Sequence, residues 1–226
     1  MSGSSQCIFR LMCWSGLAFC LVGHCLLAGC SRGFHGKRPD IERAWICDEA
    51  ADEAMQRQDY DAGICLHQRF LENNPDNALA LYHLGYAYGQ TGDHLREVSC
   101  YEKAVAFGYR KERVFFNLGM AYGELSEWEK SIGAFKNAVG IDPDSADDHF
   151  GLAMAYQGSS ADDLAEEEFL KTLEIDPGHL DALLYLSMLC ADRGELQRAR
   201  ELLHRILEIH PSNTRAREFL EGIEKE

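Results

Sequence analysis

An all-α solenoid of stacked helix pairs is the fold class this sequence predicts, and three observations predict it. Residue types recur every 34 positions: Leu84, Leu118, Leu152 and Leu186 share one slot, and Gly85, Gly119, Ala153 and Ser187 the next. Tyr88, Tyr122, Tyr156 and Cys190 fill a third slot, and Tyr101, Phe135, Phe169 and Leu203 a fourth. Within each period the apolar residues stand three and four apart, which is the stripe of an amphipathic helix. Four of the five prolines, Pro75, Pro143, Pro177 and Pro211, obey the same grid, with Tyr109 in the slot between the first two. Such a period marks units that bury their apolar faces only against one another.

The third unit shows the design. Phe115, Leu118, Gly119 and Tyr122 make the stripe of a first helix; Ile132, Phe135, Ala138 and Val139 make that of a second. The turn between them is polar, and Ser126 is expected to cap the second helix through its hydroxyl. Asp142-Pro143 ends the pair, because proline forces its predecessor out of the α region. Gly119, Ser131 and Ala138 leave room for Tyr122 and Phe135 to interlock. The pattern Leu-Gly-x-x-Tyr…Phe…Pro resembles the tetratricopeptide repeat (TPR). The resemblance covers 44–213 without insertion, as five tandem helix-turn-helix repeats: 44–77, 78–111, 112–145, 146–179 and 180–213.

Taken in order, the first repeat departs most, with Ala50, Ala51 and Ala54 for Leu, Gly and Tyr, and His67 in the aromatic slot. The second has Glu97 where a small residue is usual, which predicts looser packing. The last places Cys190 in a core slot as a buried thiol. Residues 214–226 carry Ala216, Phe219, Leu220 and Ile223 on one side and charge elsewhere, the pattern of a capping helix.

Residues 1–29 read as a secretory signal: Arg10, an uncharged run, then Leu26-Leu27-Ala28-Gly29-Cys30. The last four resemble the lipobox of bacterial lipoproteins, which implies cleavage before Cys30 and lipidation (palmitate among the acyl chains) of that residue. An uncleaved membrane anchor is the other reading. Ser31 after the lipid site implies, by resemblance, the outer membrane facing the periplasm. Residues 30–43 are then the lipidated cysteine and a flexible tether. An oxidising compartment permits a Cys47–Cys65 disulfide.

Composition narrows function. A formal net charge of −15 argues against nucleic-acid binding. No zinc spacing, phosphate loop or nucleophile elbow is present, so no catalytic residue, metal or cofactor is assigned and an enzyme is not expected. The nine histidines show no ligand spacing and read as surface residues. The acidic run Asp162, Asp163, Glu166, Glu167 and Glu168 reads as a solvated face.

A second apolar face marks the first helix of each repeat. Phe116 and Met120 lie roughly 140° from the core stripe, and the 34-residue shift extends them into two ladders. These are Tyr82, Phe116, Phe150 and Leu184, and Tyr86, Met120, Met154 and Met188. By resemblance they line a concave, water-facing groove suited to a protein or peptide with an apolar segment. The acidic residues Asp48, Asp52, Glu124, Asp147, Asp181 and Asp192 share those slots and favour basic flanks. If a peptide buried about 400 Å² there, the gross gain of about 10 kcal/mol would be largely cancelled by association costs of about 4–15 kcal/mol, leaving moderate, reversible binding. The expected function is a non-catalytic, envelope-tethered scaffold or adaptor for assembly of an envelope machine. A pilotin-like assembly lipoprotein of a type IV pilus or secretion system, or a self-associating spacer, are the alternatives.

Overall fold

The structure is a computed structural model, and it describes residues 48–224. Cys30, the signal and tether segments, and Cys47 of the expected disulfide lie outside the described residues; Cys65 is exposed. Among the described residues every regular element is a helix. Five pairs follow one another: α1 (Glu49–Gln56) with α2 (Tyr60–Asn73), α3 (Ala78–Gln90) with α4 (His94–Ala106), and α5 (Glu112–Glu124) with α6 (Trp128–Ile141). Then come α7 (Ala146–Gly158) with α8 (Asp162–Ile175), α9 (Leu180–Asp192) with α10 (Leu196–Ile209), and the single α11 (Thr214–Ile223). No helix among the described residues is long and apolar enough to cross a membrane.

The turn inside each pair is the same device five times. Gln58, Gly92, Ser126, Ser160 and Gly194 all have positive φ, between 59° and 78°. Each is followed by a residue whose N–H reaches five back, as Glu127 N does to Tyr122 O (2.8 Å) and Glu195 N to Cys190 O (2.8 Å). This double hydrogen-bonded stop satisfies carbonyls that the helix end would otherwise strand. Ser126 therefore does not cap α6 as expected. It occupies the left-handed position, and Glu127 takes the cap site without a side-chain hydrogen bond. The residue type tolerated there is set by φ, not by hydroxyl chemistry.

The turn between pairs is built differently. In Asn74-Pro75-Asp76-Asn77 the N–H of Asn77 closes on Asn74 O at 3.0 Å, and the proline segments at 142–145, 176–179 and 210–213 repeat it. Proline suits the second position of such a turn. The turn's last residue then caps the next helix: Asn77 accepts from Ala80 N, Ser145 from Asp148 N, His179 Nδ1 from Ala182 N and Asn213 from Ala216 N. Lys111 breaks this series, and so does its loop, where Gly108 (φ 98°) ends α4 in a left-handed stop instead of a proline turn.

Packing follows sequence neighbours. Each helix lies against the one before and the one after it. In addition α3 approaches α5, and α5 approaches α7, more closely than any two second helices approach each other. First helices thus crowd together on the inner side of the array. Glycine permits the closest contacts: a Cβ on Gly119 would stand 2.7 Å from the Phe135 ring, and one on Gly151 would overlap the same ring. Ser131 completes the joint by donating to Gly119 O at 2.7 Å. In the second pair Glu97 is buried and takes the volume that Gly89 leaves open, while His94 Nδ1 sits 2.8 Å from its carboxylate. The slot is filled by a partnered carboxyl, so the looser packing expected at Glu97 is not what the structure has. Cys190 is 1% exposed, the buried thiol anticipated.

Candidate functional site

Two ladders run along the inner faces of α3, α5, α7 and α9, and they divide by exposure. Tyr82, Tyr86, Phe116, Met120 and Met188 are half-buried. Phe150 (5% exposed), Met154 (2%) and Leu184 (6%) lie inside the protein. The expectation that all eight face water is therefore corrected at these three positions. The cause is local. From Phe150 to Tyr156 α7 carries only apolar or small residues around its circumference and is enclosed. Phe150 is roofed by His179 and Tyr185 of the following pair, with ring centroids 4.8 and 5.9 Å away, and touches Phe169 beneath it.

The face of α3 is assembled from polar aromatics instead. The Tyr82 ring stacks on Tyr109 at 4.7 Å and tilts against Tyr101 at 5.7 Å. Asn117 of α5 donates to both phenols, Tyr101 at 3.2 Å and Tyr82 at 3.4 Å. Burial pushes the Tyr82, Tyr101 and Tyr109 phenols up, so all three stay neutral at physiological pH. Tyr109, which interrupts the proline grid, is the residue that props Tyr82. Tyr86 meets Tyr60 edge-on at 6.3 Å. The face shared by α3 and α5 therefore presents partly exposed phenols and the Met120 thioether on an aromatic backing.

The acidic residues expected beside the ladders sort into two groups. Asp147, Asp181 and Asp192 are exposed, and Asp147 is 3.7 Å from His179. Asp48 caps α1 through Ala51 N, and Asp52 binds His83 Nδ1 at 2.8 Å. The run at 162–168 is more than a solvated face: Glu166 receives both Arg193 and Arg198, and Glu168 binds His149 Nδ1 at 2.7 Å. Asp148 is wholly enclosed, with neither carboxylate oxygen hydrogen-bonded among the described residues. Burial first, and then the neighbouring Glu112 carboxylate, pushes its carboxyl up to about 7.

The histidines divide as well. His204 and His210 are exposed as expected, but His67 and His149 are buried. His67, His83 and Asp52, on three different helices, come together at the first end of the array. Linear spacing gave no sign of this; the sole signal was a histidine in an aromatic core slot.

Family models for the tetratricopeptide repeat match residues 49–109 and 116–179, and a second such model matches 163–222. The chain belongs to the tetratricopeptide repeat family. No curated protein sequence matches it significantly. Among solved structures it is similar to MamA, with 23% identity, a TM-score of 0.70, and coverage of 74% of this chain and 97% of that one. It is also similar to YrrB, described as a TPR protein with an unusual peptide-binding site (22% identity, TM-score 0.69, coverage 76% and 88%). A third similar structure is a thermophilic TPR protein of Thermus thermophilus (21% identity, TM-score 0.58, coverage 78% and 96%). At these identities the likeness concerns the fold.

Proposed function

We propose that this tetratricopeptide repeat protein is a non-catalytic scaffold that holds a protein segment against the inner faces of α3 and α5. The reading rests on one observation: Tyr82, Tyr86, Phe116 and Met120 remain partly exposed as a row on adjoining helices. A peptide-binding site is described for the similar YrrB, which agrees with this use of the fold. With Phe150, Met154 and Leu184 enclosed, the groove is shorter than the sequence suggested, so the fitting occupant is a short apolar segment. Glu124 lies four residues after Met120 on the same face and favours a basic flank. Binding is moderate and reversible, as the limited apolar area dictates.

The same reading places the array at the cell envelope through lipid on Cys30, in the assembly of an envelope machine at the outer membrane. Lipid anchoring and groove binding are tested apart. Cys30→Ser should release the chain from the membrane fraction and abolish incorporation of labelled palmitate. For the groove, fluorescence anisotropy with a panel of peptides bearing apolar centres and Lys/Arg flanks should show saturable binding that Met120→Glu and Tyr86→Glu each weaken at least tenfold. Equal affinity in both variants, or concentration-dependent self-association that excludes all peptides, would replace the scaffold with a structural spacer.

A further inference from the structure

The first end of the array holds a convergence of donors that the groove does not use. Asp52 projects from α1, His67 from α2 and His83 from α3, and one donor atom of each lies within 4.8 Å of the others. His67 is fully buried, whereas the His83 and Asp52 side chains are 28% and 36% exposed, so the cluster is closed behind and open in front. The His67 and His83 rings meet edge-on, with centroids 5.5 Å apart.

We propose that Asp52, His67 and His83 form a binding site for a divalent zinc ion. Two imidazoles and one carboxylate are a donor set that zinc accepts, with water or another donor completing a tetrahedron. Bond lengths of about 2.0–2.2 Å set donor atoms about 3.3 Å apart in such a tetrahedron. To reach that, the Asp52–His83 contact of 2.8 Å would open by about half an ångström and the wider separations, none above 4.8 Å, would close.

The chemistry of the surroundings agrees. Asp48 and Asp52 both direct negative potential at the His67 ring. Their pull favours a cation beside that ring. The site also suits its place in the array. α1 has eight residues where every other first helix of a pair has thirteen, so the first pair has less surface with which to hold the array. An ion bridging α1, α2 and α3 would fasten it.

The test uses the full chain in detergent, stripped with a chelator and with thiols alkylated, titrated with zinc chloride alone. Calorimetry should show one saturable site per chain. The thermal midpoint should rise by about 5–10 °C at a hundredfold excess over Kd. His83→Asn and Asp52→Asn, both at the open side, should lower affinity at least tenfold and remove the shift, while His204→Asn, on the exposed side of α10, changes neither. Cobalt(II) should give a tetrahedral visible spectrum that His83→Asn abolishes. His67→Gln adds to this where it folds, but the two open-side variants decide the matter. Absence of stoichiometric binding, or binding kept by His83→Asn, overturns the proposal and leaves the cluster as a hydrogen-bonded contact between Asp52 and His83 beside a core histidine.

Discussion

The inner faces of α5 and α7 occupy equivalent places in consecutive pairs, yet one meets solvent and the other does not. Phe116 and Met120 on α5 are half-buried; Phe150 and Met154, one period later, are enclosed. The apolar side chains are nearly the same, so composition does not separate them. What differs is the roof. α7 is followed by His179 and Tyr185, which fold over Phe150, and it belongs to one continuous core running from Phe135 to Ile223. The buried side of α5 belongs to a smaller cluster from Ala78 to Ala134, while its Phe116 and Met120 lie only against the edge of the larger core; beside them Asn117 ties down Tyr82 and Tyr101. A ladder read from the repeat is thus partly exposed surface on α3 and α5 and protein interior at Phe150, Met154 and Leu184.

The sharpest way to break this comparison is the paired substitution of the two methionines. Met154→Glu places an unpaired charge in the core and should cost more than about 4 kcal/mol, seen as loss of the cooperative helical melt. Met120→Glu should cost about 1 kcal/mol and leave the melt nearly in place. Equal effects would mean that the two faces are buried alike.

Next in size is the joint between the halves, where Gly119 and Gly151 both press on Phe135. Either glycine changed to alanine should destabilise by about 1–3 kcal/mol through overpacking. Gly133→Ala, on the open side of α6 with nothing near, should stabilise by about 0.5–1 kcal/mol, because alanine is the better helix former. Denaturant midpoints at unchanged slope are the readout.

Asp148 sharpens the contrast by pH. Its carboxyl is raised in the folded state from the ordinary 3.8 to about 7, so the folded protein keeps a proton that the unfolded chain has lost. The resulting penalty is absent below about pH 4, builds up to about pH 7 and is constant above it. Asp148→Asn should therefore raise stability by about 1–3 kcal/mol at pH 8 and by nothing measurable at pH 4. A pH-independent effect would point to packing alone.

The smallest expected effect is the one that should not distinguish the halves. Ser126→Gly and Ser160→Gly relieve the same left-handed strain in two turns, and each should stabilise by about 1 kcal/mol. Unequal gains would show that the turns share the asymmetry of the faces.

The helices and their order were legible in the sequence because their signal is periodic and survives a few substitutions. The turn chemistry was partly legible: prolines announced the stops, but Ser126 looked like a cap, since a serine does not declare its φ. The recurring cap series Asn77, Ser145, His179 and Asn213 was hidden by its mixed chemistry. The site was legible only as a set of slots. Burial of Phe150 depends on a histidine 29 positions later that reads locally as a cap, and the Asp52–His67–His83 cluster joins residues from three helices. Contacts of that kind are set by how pairs stack, which one period of sequence does not encode.

Every helix leans chiefly on its neighbours in sequence, with α3 on α5 and α5 on α7 the next contacts in the array. A load applied between the two ends would be borne by one interface at a time. Such a chain yields in steps under tension, each step releasing a length of about one pair, and recovers the same way when slackened.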